Sequence, residues 1–251
     1  MSKWTFFGRI LPERIPLRVE GPEWTSEAFG LRYRTKVQIA DGQFVVPATI
    51  ESGQTDIHTL RNLVENDIRI LTDLIGYLHG GSFDIDFVSA VADDGKAVIF
   101  GMTIPVLKET RKEPATEIAG DLLQSVAGDI SARMVLADFR EAIRTPVGTG
   151  FFCYRAIEAI MQSMKTNPKD DDKPAWALLR ARLQIDRPVI DEIKAHADYP
   201  RHGKVSSISD DERANVFRLT DEIVRRYLTY LRRGKTELPR SEFPLFALSE
   251  P

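Results

Sequence analysis

Two hydrophobic periods divide this chain, and they limit what it can fold into. In the first third, "LRYRTKVQI" alternates strictly: Leu31, Tyr33, Thr35, Val37 and Ile39 fall on one face, Arg32, Arg34, Lys36 and Gln38 on the other. A period of two describes a strand with one buried face. Asp41-Gly42 supplies a turn that tolerates positive φ, and "QFVVPATI" returns with Phe44, Val46, Ala48 and Ile50 on the matching apolar face. In the second half, apolar residues recur at three- and four-residue steps instead, the spacing of helices with one buried stripe.

The remaining elements fit around these two. "MSKWTFFGRILPERIP" reads as a first strand and not as a signal peptide, because Arg9 and Glu13 interrupt its apolar patch early. Ile57, Leu60, Val64, Ile68, Leu71, Ile75 and Leu78 form one stripe on a long helix, with Asp56 placed to cap its start and Gly80-Gly81 to end it. "SFDIDFV", Asp94-Gly95 and "KAVIFGMTIPV" read as a second hairpin. "KETRKEPATE" is charged and holds Pro114, as linkers do. Beyond it come a helix from about Asp129 to Arg144 and an almost wholly apolar one, "FFCYRAIEAIMQSM". The polar residues of the latter, Arg155, Glu158, Gln162 and Lys165, make one narrow stripe, which places it at the centre of a bundle. A short helix carries Trp176, Leu179 and Leu183; another opens at Asp186 and Pro188; and the last follows a capping box, "SDDE", at Ser209. The apolar, Pro-broken tail "ELPRSEFPLFALSEP" is expected to dock on its own body or on a second copy. The expected fold is α+β: a mostly antiparallel sheet domain with one long helix over 1–107, a linker over 108–117, a helical bundle over 118–235 and an extended tail over 236–251.

Charge and cysteine content exclude several classes. The net charge is −3. Through Leu107 there are ten Lys and Arg against fourteen Asp and Glu, and the remainder has twenty-four against twenty-three. Neither part is the basic body of a general nucleic-acid binder. The single cysteine, Cys153, excludes an internal disulfide and a cysteine-based zinc cluster, and makes the cytoplasm the default location. No apolar run approaches the roughly 18 residues of a membrane span.

Standard phosphate-binding and nucleophile motifs are absent; Gly148-Thr149-Gly150 lacks a lysine and reads as a helix-joining turn. His58 and His79 lie near opposite ends of one helix, roughly 30 Å apart, so they cannot share an ion. Asp84 with Asp86, and the run Asp170 to Asp172, read as solvated carboxylates. Arg32, Arg34 and Lys36 read as an exposed strand face kept soluble. No metal or cofactor is expected.

"HADYPRHGKVSS", His196 to Ser207, combines two of the four histidines with a His-Gly pair just before the last helix. Together with "GTGFFCYRAIEAIMQSM", it resembles the HEPN superfamily of helical bundles over roughly Asp129 to Gly234. The resemblance implies a bundle that forms homodimers, and an RNA-directed protein of bacterial defence or toxin type. The activity it implies is either metal-independent ribonuclease, with His202 expected to move the proton and Arg201 to stabilise the phosphorane, or degenerate binding of RNA or nucleotide. His196, Lys204 and Arg155 are the nucleic-acid-contacting candidates. Ala195, His196 and Ala197 stand where active members carry their arginine, so Arg201 and His202 share a site only if the backbone around Pro200 is irregular. The alternative is a dimerising interaction or sensor module with no catalysis.

Overall fold

In the computed structural model, residues 2–13, 17–101, 104–110, 122–202 and 208–248 are described. The chain divides into two compact units, Met1–Met102 with Ser207–Asp210, and Thr103–Ser206 with Asp211–Pro251. Among the described residues, no helix is long and apolar enough to cross a membrane.

The first unit is a six-stranded antiparallel sheet in the order β2-β3-β4-β1-β5-β6. Its strands are β1 (Ser2–Leu11), β2 (Arg18–Ala28), β3 (Leu31–Ala40), β4 (Gln43–Ser52), β5 (Asp84–Ala92) and β6 (Ala97–Ile99). Helix α1 (Ile57–His79) separates β4 from β5. The β3–β4 hairpin forms as its alternation requires, and both Asp41 (φ 51°) and Gly42 (φ 77°) are left-handed, the turn whose twist matches the strands. Phe6, Phe44 and Phe87 meet edge to face at the centre, with Phe87 5.9 Å from Phe6 and 5.0 Å from Phe44. Leu60, Leu63, Val64 and Ile68 of α1 bury themselves in the same core.

Three features depart from expectation. β2 has no clean alternation, because Pro22 and the carboxylates Glu20, Glu23 and Glu27 interrupt it. It forms as an edge strand, where a missing amide is tolerated, and its pairing with β3 shifts register between Glu20 and Glu23. Leu78 is exposed and Leu63 is buried in its stead, because a repeat of three and four residues drifts about 20° per heptad on a straight helix. β6 is only three residues long. The chain enters helix α2 (Pro105–Thr110), whose proline occupies the first turn where no amide donor is needed. Lys108 to Thr110 of the expected linker are therefore helical, and 111–117 lie outside the described residues.

Two polar arrangements stabilise this unit. Arg32, Arg34 and Lys36 are paired across strands, to Glu27 and Glu51 (3.0 Å each), to Glu23 (3.1 Å) and to Glu20 (2.8 Å). The basic strand face is thus neutralised by its neighbours. Beneath the sheet, buried Asp67 of α1 accepts from Thr35 at 2.8 Å and Ser26 at 3.4 Å. Burial pushes its carboxyl above the usual range, against the opposing effect of those hydrogen bonds.

The second unit is helical. A helical stretch over 122–127 precedes α3 (Ile130–Arg144), α4 (Thr149–Ser163), α5 (Asp172–Leu183), α6 (Arg187–Arg201) and α7 (Asp210–Arg232). α4 packs against α3, α5 and α6, with Cys153, Ala156, Ile157 and Ile160 fully buried, as its all-round apolar sequence requires. Gly148-Thr149-Gly150 is not a free turn. Thr149 and Gly150 are the first residues of α4, and the Thr149 hydroxyl donates to the Ala142 carbonyl (3.1 Å) while accepting from Arg213 (2.9 Å). The tail docks on its own body: Leu238 donates to the Arg182 carbonyl and Phe246 to that of Gln184, both at 2.9 Å.

α6 runs unbroken through Pro200 to Arg201. Pro200 has no amide to offer the His196 carbonyl four residues back. That carbonyl lies instead against Gly150, where an added Cβ would overlap it. Gly150→Ala is expected to destabilise the protein by about 1–3 kcal/mol through overpacking against backbone, measured as a lowered urea midpoint. Asp67 gives a pH signature. Its folded-state pKa is raised, so the folded state holds the proton more tightly, and its contribution is full below the ordinary carboxylate pKa and lost as pH rises through the raised value. From about pH 3.5 to 7, wild type is expected to lose stability relative to Asp67→Asn; parallel urea midpoints would refute the buried, perturbed carboxyl.

Candidate functional site

The site is built on the helical hairpin of α5 and α6. α5 ends because Gln184 adopts the left-handed conformation (φ 54°, ψ 55°) and its amide turns back to Ala181 and Arg180. α6 starts as the Asp186 carboxylate accepts the Arg187 amide at 2.7 Å, with Pro188 in the first turn. Lys173, Trp176 and Arg180 follow at i, i+3 and i+7 on α5, so they share one face. Arg187, Ile190 and Lys194 repeat the same spacing on α6. Both faces line one open cleft of about 470 Å³, together with Tyr154 of α4, Asp172 and Asp191. That volume is within the usual range for small-molecule sites.

Aromatic stacking and positive charge define the cleft. The Trp176 ring stacks on Tyr154, centroids 6.1 Å apart and planes 16° from parallel. Tyr154 is buried and Trp176 half-buried, so the phenol backs the indole. Four cations and two carboxylates line the cleft. Both carboxylates are already paired. Asp172 takes Lys165 at 2.6 Å, which holds its carboxyl below the usual range, and Asp191 takes Arg187 at 3.1 Å. Among the described residues, Lys173, Arg180 and Lys194 are in no ion pair. An aromatic face between unpaired cations suits a ligand with a planar ring and phosphates.

None of the described side chains of "HADYPRHGKVSS" lines this cleft. His202 is exposed, and its amide donates to the Asp198 carbonyl at 3.1 Å, which prolongs the helical pattern of α6. Among the described residues, α6 stays helical through Pro200 to Arg201 and shows no irregular backbone there. The Arg201 side chain and Lys204 lie outside the described residues. His196 is 3.9 Å from Glu192 on its own helix, and its backbone is pressed against Gly150. Arg155 pairs with buried Asp138 at 3.2 Å and lies over the rings of Phe151 and Phe152. Burial raises the Asp138 carboxyl while Arg155 lowers it, so the guanidinium is committed to a structural partner. Among the described residues, no group of three or more His, Cys, Asp or Glu is placed to hold a metal ion.

Sequence reasoning missed the cleft, although one signal was present. The cation–apolar–cation triplet recurs at identical spacing on two consecutive helices, and a turn between them brings the two copies together.

Two models of one family match the chain in order. The domain of unknown function (DUF8168) N-terminal domain matches residues 4–100, and the DUF8168 C-terminal domain matches residues 118–232. No curated protein and no solved structure matches the chain.

Cys153 is excluded as a nucleophile. It is fully buried in α4, and burial pushes its thiol up to about 12, far from the thiolate that reacts. A thiol reagent at neutral pH is expected to label it only after unfolding by urea; fast labelling of native protein would show the core to be open at α4.

Proposed function

We propose that the helical unit is an RNA-binding module of HEPN type that holds unpaired strand in the cleft between α5 and α6 and does not cut it at His202. The observation that carries this reading is the half-buried Trp176 ring, backed by Tyr154 and flanked by Lys173, Arg180, Arg187 and Lys194. A base laid on such a ring gains about 1–3 kcal/mol, and the cations supply the phosphate contacts that fix the strand. The cleft accounts for unpaired nucleic acid; the resemblance to HEPN bundles points to RNA. Local charge on this one face reconciles binding with an overall net charge of −3.

Cleavage asks for more than His202 provides. Acid–base transfer needs a histidine within hydrogen-bond reach of the reacting group and a cation on the developing charge. The helical backbone of α6 through Arg201 supports reading the segment as a binder over a nuclease.

Fluorescence anisotropy with labelled single-stranded RNA tests the reading. The full-length protein is expected to bind single strands better than duplex, with affinity falling as salt rises. Trp176→Ala is expected to weaken binding by about 10- to 100-fold, the equivalent of one lost stack, and the RNA stays intact in EDTA. Equal binding by Trp176→Ala, or duplex preference, would remove the cleft from the account. Cleavage lost in His202→Ala would restore the nuclease.

A further inference from the structure

The two triplets of the hairpin run in opposite senses about its turn. α5 approaches the turn and α6 leaves it, so Arg180 and Arg187 lie toward the turn while Lys173 and Lys194 lie toward the open end. Seven residues separate the members of each triplet, about 10 Å along a helix. Trp176 and Ile190 fall between the cations of their own helices, and the Trp176 ring stacks on Tyr154. The cleft is therefore not a single cationic pocket with an aromatic wall. Along the two helices its arginines lie toward the turn and its lysines away from it, with Trp176 and Ile190 in between.

We propose that this cleft is a subsite for one internal nucleotide of a strand: its base on Trp176, one flanking phosphate at Arg180 and Arg187, the other at Lys173 and Lys194. This rests on the RNA-binding reading and specifies its ligand. A nucleotide within a strand carries a phosphate on both sides of the nucleoside. A nucleoside di- or triphosphate carries all of its charge on one side and leaves one cation pair unmatched. The arginine end offers planar, bidentate donors and the lysine end point charges, so the arginine end carries the more directional contact. Asp172 is taken up by Lys165, which is not part of the lining, and leaves the lysine end its charge, whereas Asp191 pairs with Arg187 and offsets part of the charge at the arginine end. Sharing with Asp191 leaves Arg187 the weaker of the two arginines, and Arg180 the principal anchor at that end.

Calorimetric titration of the full-length protein decides it. Adenosine 3′,5′-bisphosphate and adenosine 5′-diphosphate have the same base and two phosphates each, differing in where the phosphates are attached. The bisphosphate is expected to bind about tenfold tighter, the equivalent of one added charged hydrogen-bond set, with inorganic phosphate much weaker than either. Arg180→Gln/Arg187→Gln and Lys173→Gln/Lys194→Gln are each expected to weaken the bisphosphate by about tenfold, while the diphosphate responds to one pair alone. All four side chains are at the surface, and matching circular dichroism melts establish that the variants fold. Diphosphate binding as tight as bisphosphate, or one double variant without effect on the bisphosphate, overturns the proposal. If single-stranded RNA binds in a Trp176-dependent way while the two nucleotides are not distinguished, the subsite fails and the RNA reading stands. If the bisphosphate is preferred but RNA does not bind, the RNA reading fails and the two-ended cleft stands.

Discussion

The guanidinium of Arg226 holds the helical unit to its shape. It is buried on α7 and donates to the carbonyls of Leu183 at 3.0 Å, Gln184 at 2.7 Å and Pro244 at 3.0 Å, with Glu222 at 2.7 Å on its remaining side. The first two carbonyls belong to the end of α5, where helix acceptors have no partner of their own and the helix dipole favours a cation. The third belongs to the tail, whose Phe243 and Phe246 rings lie 5.9 and 5.5 Å from the same group. One side chain thus ends α5, sets the turn into α6 and binds the C-terminal segment. Removing one member of such a buried charge network is costly, about 3–5 kcal/mol. The cleft exists because this turn is held: α5 and α6 present their cations to a common space only while Gln184 keeps its left-handed conformation.

Charge is handled differently in the two units. On the sheet, positive residues meet carboxylates across strands, so Arg32, Arg34 and Lys36 are spent on internal pairing. In the helical unit, Arg155 and Arg213 are likewise committed, to Asp138 and to the carbonyls at the end of α3. Among the described residues, Lys173, Arg180 and Lys194 are in no ion pair. Buried and paired cations are structural and unpaired ones beside a half-buried ring are available to a ligand, which separates the cleft from the paired basic face of the sheet.

Periodicity made much of the fold legible. The β3–β4 hairpin, α1 with its Asp56 cap, and the buried α4 all follow from patterns contained within one element. β2 was hidden, since Pro22 and three carboxylates break its alternation and only its place at the sheet edge makes that harmless. Leu78 and Leu63 were exchanged, since a heptad stripe drifts on a straight helix. In the site, "HADYPRHGKVSS" drew attention through its histidines and proline, yet Pro200 sits within α6, and the His196 carbonyl to which it offers no amide lies against Gly150. The relation between Pro200 and Gly150 spans fifty residues, and no local pattern carries it.

The amino-acid sequence by itself determined which segments are strands and helices and which face of each is apolar, because those follow from side-chain order along one element. It also placed cations and an aromatic ring at matching positions on two neighbouring helices. Only the tertiary structure decided which charges are available. Whether an arginine is bound to a carboxylate, a carbonyl or nothing depends on residues far along the chain. That accounting moved the candidate site from the end of α6 to the cleft between α5 and α6.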